Sequence, residues 1–116
     1  MTRSNLYVTL SNGQQITCVA DSSSAPEHGY IVEQLILPLL ELGDAEQELA
    51  LLEEHCCMNE LRVNSTYRYA LNLPKKAVFF YEESYNYSND RFILGKNITN
   101  RYNAYVKSLS PKTGKL

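Results

Sequence analysis

The sequence predicts a single α+β domain of order ββααββα, an antiparallel sheet of two hairpins with helices packed on one face. Three observations predict it. Residues 5–20, NLYVTLSNGQQITCVA, alternate apolar and polar side chains on either side of a turn. Residues 61–73, LRVNSTYRYALNL, and 76–83, KAVFFYEE, do so again. Between them runs SAPEHGYIVEQLILPLLEL, from Ser24 to Leu42, apolar around most of a helix.

In the first hairpin Leu6, Val8 and Leu10 alternate, as do Ile16, Cys18 and Ala20. A two-residue loop would mix the two faces. A three-residue loop, Ser11-Asn12-Gly13 with a left-handed Gly13, sets Val8 against Ile16 and Leu6 against Cys18, so one face is wholly apolar. Cys18 then reads as a small buried residue.

Ser24 and Glu27 have the spacing of a capping box, and Pro26 suits a first turn. From Tyr30 to Leu42, Glu33, Gln34 and Glu41 are the strongly polar residues, and they fall within one narrow arc. Such a helix is buried on several sides, by its own domain or by a partner. Pro38 cannot donate to the Gln34 carbonyl, which predicts a kink or break there. Gly43 ends the helix. Asp44 caps a second one over about 45–56, with Gln47 at the box position and Ala45, Leu49, Leu52 and Cys56 on one face.

In the second hairpin Tyr67, Tyr69, Leu71 and Leu73 alternate, and Pro74-Lys75 turns the chain. Val78 and Phe80 alternate against Phe79 and Tyr81, which fits a strand covered on both faces. Residues 84–95, SYNYSNDRFILG, are polar and turn-rich and read as an ordered surface loop. Asn97 can cap a last helix, about 98–109, with Ile98, Tyr102, Tyr105 and Leu109 on one face. The domain is expected over 1–110, with a frayed tail at 111–116.

The hairpin followed by a helix, about the first 42 residues, resembles the opening of a β-grasp domain; the second and last helices depart from that plan. The pieces LYVTLSNGQ and YRYALNLPKKAVFFYEE are similar to short uncharacterised proteins carried on bacterial conjugative elements. The resemblance implies a bacterial, mobile-element setting and carries over no site residue.

Composition narrows the function. No apolar run approaches the roughly 18–20 residues of a membrane span. MTRSNLYVTLSNGQ lacks the apolar region of a signal peptide. With Cys18, Cys56 and Cys57 an odd set, the thiols read as reduced and the chain as cytoplasmic. Three Asn-x-Ser/Thr matches, at Asn64, Asn86 and Asn97, carry no weight without a signal peptide.

His55-Cys56-Cys57 is the most reactive-looking cluster. Its spacing is not that of a zinc half-site, and adjacent residues on a helix point about 100° apart, which does not make a base–nucleophile pair. Glu53-Glu54 and Glu82-Glu83 read as solvated faces. Phosphate-loop, dinucleotide, serine-hydrolase and zinc-protease motifs are missing. The expectation is therefore a protein that is not an enzyme, with no catalytic residue, metal or cofactor.

Charge is split. Residues 1–60 carry Arg3 against ten acidic residues; residues 61–116 carry ten basic residues against Glu82, Glu83 and Asp90, giving about −9 and +7. Ten of the twelve aromatics also lie in the second half. The leading expectation is an interaction protein, binding a protein partner or a second copy as a homodimer, through apolar helix surface and the charge split. The alternative is a nucleic-acid accessory protein. Arg62, Arg68, Lys75, Lys76 and Arg91 would contact phosphates, and tyrosines such as Tyr85 and Tyr87 would stack on bases. Alternating tyrosines are also ordinary strand packing.

Overall fold

The computed structural model describes residues 2–21 and 24–109. The expected tail at 111–116 lies outside the described residues. The strands are β1 (Ser4–Thr9), β2 (Gln15–Ala20), β3 (Cys57–Met58), β4 (Tyr67–Asn72), β5 (Ala77–Asn86) and β6 (Arg91–Asn97). A 3-10 turn, Pro26–His28, leads into a π-helical stretch, Ile31–Ile36. It runs on into α1 (Leu37–Leu42), then α2 (Ala45–His55) and, at the end, α3 (Thr99–Leu109).

The first hairpin has the expected register, Val8 opposite Ile16 and Leu6 opposite Cys18. Leu10 N–H donates to the Gln14 carbonyl at 2.8 Å, and Gly13 takes φ +89°.

The fold is α+β, but the antiparallel two-hairpin sheet of order ββααββα is corrected. Among the described residues the sheet has six strands in the order β3-β2-β1-β4-β5-β6. β1 and β4 run parallel; the other neighbours are antiparallel. Hairpin signals are local and do not say how two hairpins join. Here the helices bring the chain back to β3 at the outer side of β2, and residues 59–66 then carry it past β2 and β1 to β4, which completes the long connection a parallel pair requires. The resulting register puts Leu6 beside Tyr69 and Val8 beside Leu71, so both apolar rows share one face.

Residues 84–95 are not a loop. They hold the end of β5, a turn and most of β6, with Tyr85 opposite Phe92 and Ser84 opposite Ile93. This hairpin reaches past the strand it packs on, because β4 pairs β5 only from Ala77 to Glu82. Both its faces are largely exposed, so it carries no apolar alternation to read.

The Ser24–Glu27 box is also corrected. Ala25 N–H donates to His28 Nδ1 at 3.1 Å, while Ser24 is buried and accepts from Tyr69 through its carbonyl at 2.6 Å. At Pro38 the helix changes winding rather than stopping. Leu37 N–H bonds the Val32 carbonyl five residues back, and the widened turn lies where proline removes a donor. Asp44 Oδ2 accepts from Gln47 N–H at 3.0 Å, and Gly43 is left-handed at φ +65°, both as expected.

One core joins the helices to one sheet face. Leu6, Val8, Cys18, Ile31, Leu35, Leu39, Leu52, Tyr69, Leu71, Phe80 and Tyr102 are buried in it. Ile16 and Val78 pack partly buried against it; Leu49 and Leu109, expected inside, are only half-buried. Ile31, Val32, Leu35 and Ile36 have no exposed surface. The apolar helix is thus absorbed by its own domain.

Candidate functional site

Side chains alternate along a strand. With Leu6, Val8, Tyr69, Leu71 and Phe80 in the core, Asn5, Tyr7, Thr9, Arg68, Ala70 and Phe79 face the other way. Among the described residues no helix covers that face. The expectation that β5 is covered on both sides fails: Phe80 is fully buried, while its neighbour Phe79 is 44% exposed.

One end of the open face is closed by polar groups. β3 lies beyond β2 and β4 beyond β1, so residues 59–66 cross the sheet between them. Asn5 fixes the crossing. Its Oδ1 accepts from Arg62 N–H at 2.7 Å, and its Nδ2 donates to the Arg62 carbonyl at 3.1 Å and Ser65 Oγ at 2.9 Å. The same amide nitrogen donates to Glu83 Oε1 at 2.6 Å.

Glu83, whose side chain has no exposure, also accepts from Ser65 Oγ at 3.1 Å and from Arg68 Nε at 2.6 Å. A second Arg68 nitrogen pairs with the same carboxylate. The guanidinium lies 4.5 Å from the Tyr7 ring centroid. A buried carboxylate is tolerable only when so fully bonded. Burial pushes the Tyr7 phenol up, Arg68 opposes it, and Glu83 adds to it.

Beside this plug lies a trough of about 690 Å³. Its floor is Tyr7, Ala70 and Phe79; Thr9, Gln15, Thr17, Asn59 and Asn72 line its sides. None of these carries a charge at neutral pH. The lining has the make-up of a contact surface, apolar in the middle with neutral hydrogen-bonding groups around it. It does not bring together a nucleophile, base and oxyanion donors.

The structure scatters the seven residues expected for nucleic acid. Arg62 is taken up by Asp21 Oδ2 at 3.2 Å and by Glu60. Arg68 is taken up by Glu83. Lys75 and Lys76 sit exposed in the turn before β5. Arg91 opens β6 at the other end of β5, about 30 Å away at 3.3 Å per residue. Tyr85 and Tyr87 are with it: their rings lie 5.0 Å apart, and Tyr85 lies 4.9 Å from Phe92. Tyr85 and Tyr87 therefore cluster with Phe92, while Arg91, opposite Asn86, points to the other face of the same hairpin, and the other four residues lie elsewhere.

The charge split is partly closed within the chain. Arg101 of α3 forks onto Glu27, with contacts of 2.7 and 2.9 Å, and Arg62 reaches Asp21.

The His55-Cys56-Cys57 cluster is drawn apart. His55 Nδ1 bonds Tyr30 Oη. Cys18 is buried and its thiol is pushed up, first by a hydrogen bond with Cys56 and then by burial. Cys57, half-buried, donates to Asp21 Oδ2 at 3.3 Å, and that bond raises its thiol. Thiols held in the neutral form are poor nucleophiles. Among the described residues, no three His, Cys, Asp or Glu are grouped to hold a metal. No helix among them is long and apolar enough to cross a membrane.

Sequence reasoning missed Asn5, Ser65 and Glu83, and also the trough. Its residues look ordinary one by one; they meet only through the parallel β1–β4 register.

No family model matches the chain. No solved structure matches it. It is 32% identical over 80 residues to the endoribonuclease YSH1 of Candida albicans, a match that takes in 66% of this chain and 9% of that protein. The chain thus spans under a tenth of the length of the curated relative it matches.

Proposed function

We propose that this is a non-enzymatic interaction protein that receives a protein partner on the open face of its sheet. The observation that carries the reading is the uncovered trough floored by Tyr7, Ala70 and Phe79, with an uncharged lining. A sheet face that no described element of its chain covers, and that exposes an aromatic ring along one side of its trough, has the form of a contact site. The fully bonded Glu83 plug at its end fixes the floor and leaves no spare charge to act on a substrate. A cytoplasmic setting on a bacterial conjugative element accords with the sequence resemblance, and the resemblance of about the first 42 residues to a β-grasp opening rests on the first hairpin and the helix after it.

The test is a photo-cross-linker placed at Phe79 and, as a control, at Gln34 on the helical side, in cells that make the protein natively. A discrete protein adduct from position 79 and none from 34 supports the reading. Adducts from both positions alike, or from neither, reject it.

The nucleic-acid reading keeps one supporting observation, the Tyr85–Tyr87–Phe92 ring cluster on a projecting hairpin. Arg91, on the other face of that hairpin, neutralises few phosphates, so binding near physiological salt should be no tighter than the roughly 10⁻⁴–10⁻⁶ M of non-specific contacts. A tighter, stoichiometric complex with duplex or single strand would replace the protein-partner reading.

A further inference from the structure

Three cysteines meet where β2, β3 and the end of α2 come together, and the strands sort them by face. In the antiparallel β2–β3 pair Cys18 is opposite Met58 and Val19 is opposite Cys57. Cys56, the residue before β3, is already extended at φ −133° and ψ 158°. Side chains alternate along extended backbone, so Cys56 shares the face of Met58 and Cys18, and Cys57 takes the other. Packing agrees: Cys18 is buried in the core, and Cys56 and Met58 pack partly buried against it. The Cys18 and Cys56 thiols hydrogen-bond each other. Cys57, on the far side, donates to Asp21 Oδ2 at 3.3 Å.

We propose that Cys18 and Cys56 form a redox latch, an open dithiol in this structure that a small disulfide such as oxidised glutathione closes, with Cys57 left out. Closure takes two thiol–disulfide exchanges. Cys56, which is half-buried, meets the oxidant first. Its thiolate attacks one glutathione sulfur, and the other glutathione leaves as a thiolate and takes up the Cys56 proton. The Cys18 thiol then gives up its proton, attacks Cys56 Sγ and displaces the second glutathione, which takes up that proton. One protein disulfide forms and one glutathione disulfide is reduced to two thiols. The neutral, buried Cys18 thiol makes the second exchange slow, but the sulfur it attacks is already beside it.

The same geometry disfavours the other two pairings. Cys57 points away from Cys18. Cys56 and Cys57 are neighbours on extended backbone, and their side chains leave on opposite faces.

The latch would fasten a lightly held place. β3 is a two-residue strand at the edge of the sheet, and residues 59–66 leave from it towards β4. A bond from Cys18 to Cys56 closes the helical connection, residues 19–55, into a ring anchored on β2. Such a ring stabilises the fold mainly by restricting the unfolded chain, and more so the longer it is. The latch lies on the face opposite the trough, so it goes beyond the interaction reading and stands without it.

The experiment equilibrates the full chain with oxidised glutathione, alkylates the remaining thiols and maps the disulfides by peptide mass. Urea unfolding is then compared for the oxidised and reduced chains. The expected result is a Cys18–Cys56 disulfide and a urea midpoint raised by about 1–2 M, from the usual effect of a disulfide and the usual slope for a small domain. Cys57→Ser should keep both results. Cys56→Ser should lose both; Cys56 is only partly buried, so this variant spares the core that Cys18→Ser would disturb, and its reduced-state midpoint checks its folding. A chain that stays reduced or gains only glutathione adducts overturns the inference. So does a disulfide through Cys57, or an oxidised chain whose midpoint is no higher than that of the reduced one.

Discussion

Asn5 and Glu83 lie 78 positions apart in sequence, and the Asn5 amide donates to the Glu83 carboxylate at 2.6 Å. The bond spans from β1 across β4 to β5 and so joins both hairpins over the parallel pair. The buried carboxylate is shared by Asn5, Ser65 and Arg68, which makes it the hub of the polar end of the sheet.

Removing one member of such a pair leaves the other charge stranded. Glu83→Ala should therefore cost about 3–5 kcal/mol by urea unfolding, the range for breaking a buried ion pair. Replacing Arg68 and Glu83 together by Met and Leu should cost much less than Glu83→Ala alone, because no charge is left unpaired. A Glu83→Ala loss under about 1 kcal/mol would mean that water enters and solvates Arg68 freely.

Phe79 and Phe80 are adjacent but face opposite ways, and this tests which side of the sheet is open. Phe80→Ala should cost about 3–5 kcal/mol, as for a large aromatic lost from a core. Phe79→Ala should cost under about 1 kcal/mol, close to the range of surface substitutions. Equal losses at the two positions would show that the face carrying Phe79 is covered after all. Partner capture should respond in the reverse order when each variant is compared at equal folded fraction.

The periodic elements were legible in the sequence because their signals are local. The Val8–Ile16 register follows from loop length and face matching, and the Asp44 cap follows from its spacing to Gln47. What could not be read is non-local. The parallel pairing of Leu6 with Tyr69 depends on how residues 59–66 lay the chain back across the sheet. β6 is hidden in the sequence because Ile93 and Leu94 are both exposed, and a strand without a buried face has no alternation. Glu83 looks like a solvated neighbour of Glu82, yet one of them is exposed and the other is the best-bonded carboxylate of the sheet. That difference is set by strand parity, which sequence gives only once the partner strand is known. The basic residues show the same limit: Arg62 and Arg68 carry the charge a phosphate would want, but folding assigns each to a carboxylate.

The link between α3 and the turn before the first helix should be visible in the pH dependence of stability. Arg101 donates to both Glu27 oxygens and to Tyr67 Oη at 3.0 Å. The hydrogen bonds from Arg101 lower the Glu27 carboxyl, and partial burial only partly offsets this. The folded-state value thus lies below the ordinary 4.5. A depressed carboxyl contributes stability that is fully present above its unfolded pKa and is lost as pH falls through its folded pKa. Both side chains are well exposed, so solvent screens the pair and its contribution should be only about 0.2–1 kcal/mol. Glu27→Gln should therefore lower stability by that amount at neutral pH. Its unfolding free energy should converge on that of the native chain as pH drops below 4.5, where the native chain loses the same interaction. Asp21, which burial raises but Cys57, Arg62 and Arg3 together hold low, titrates in the same acid range in both proteins and cancels from the difference. A gap between the two curves that stays constant into strong acid would show that Glu27 acts through packing rather than through its charge on Arg101.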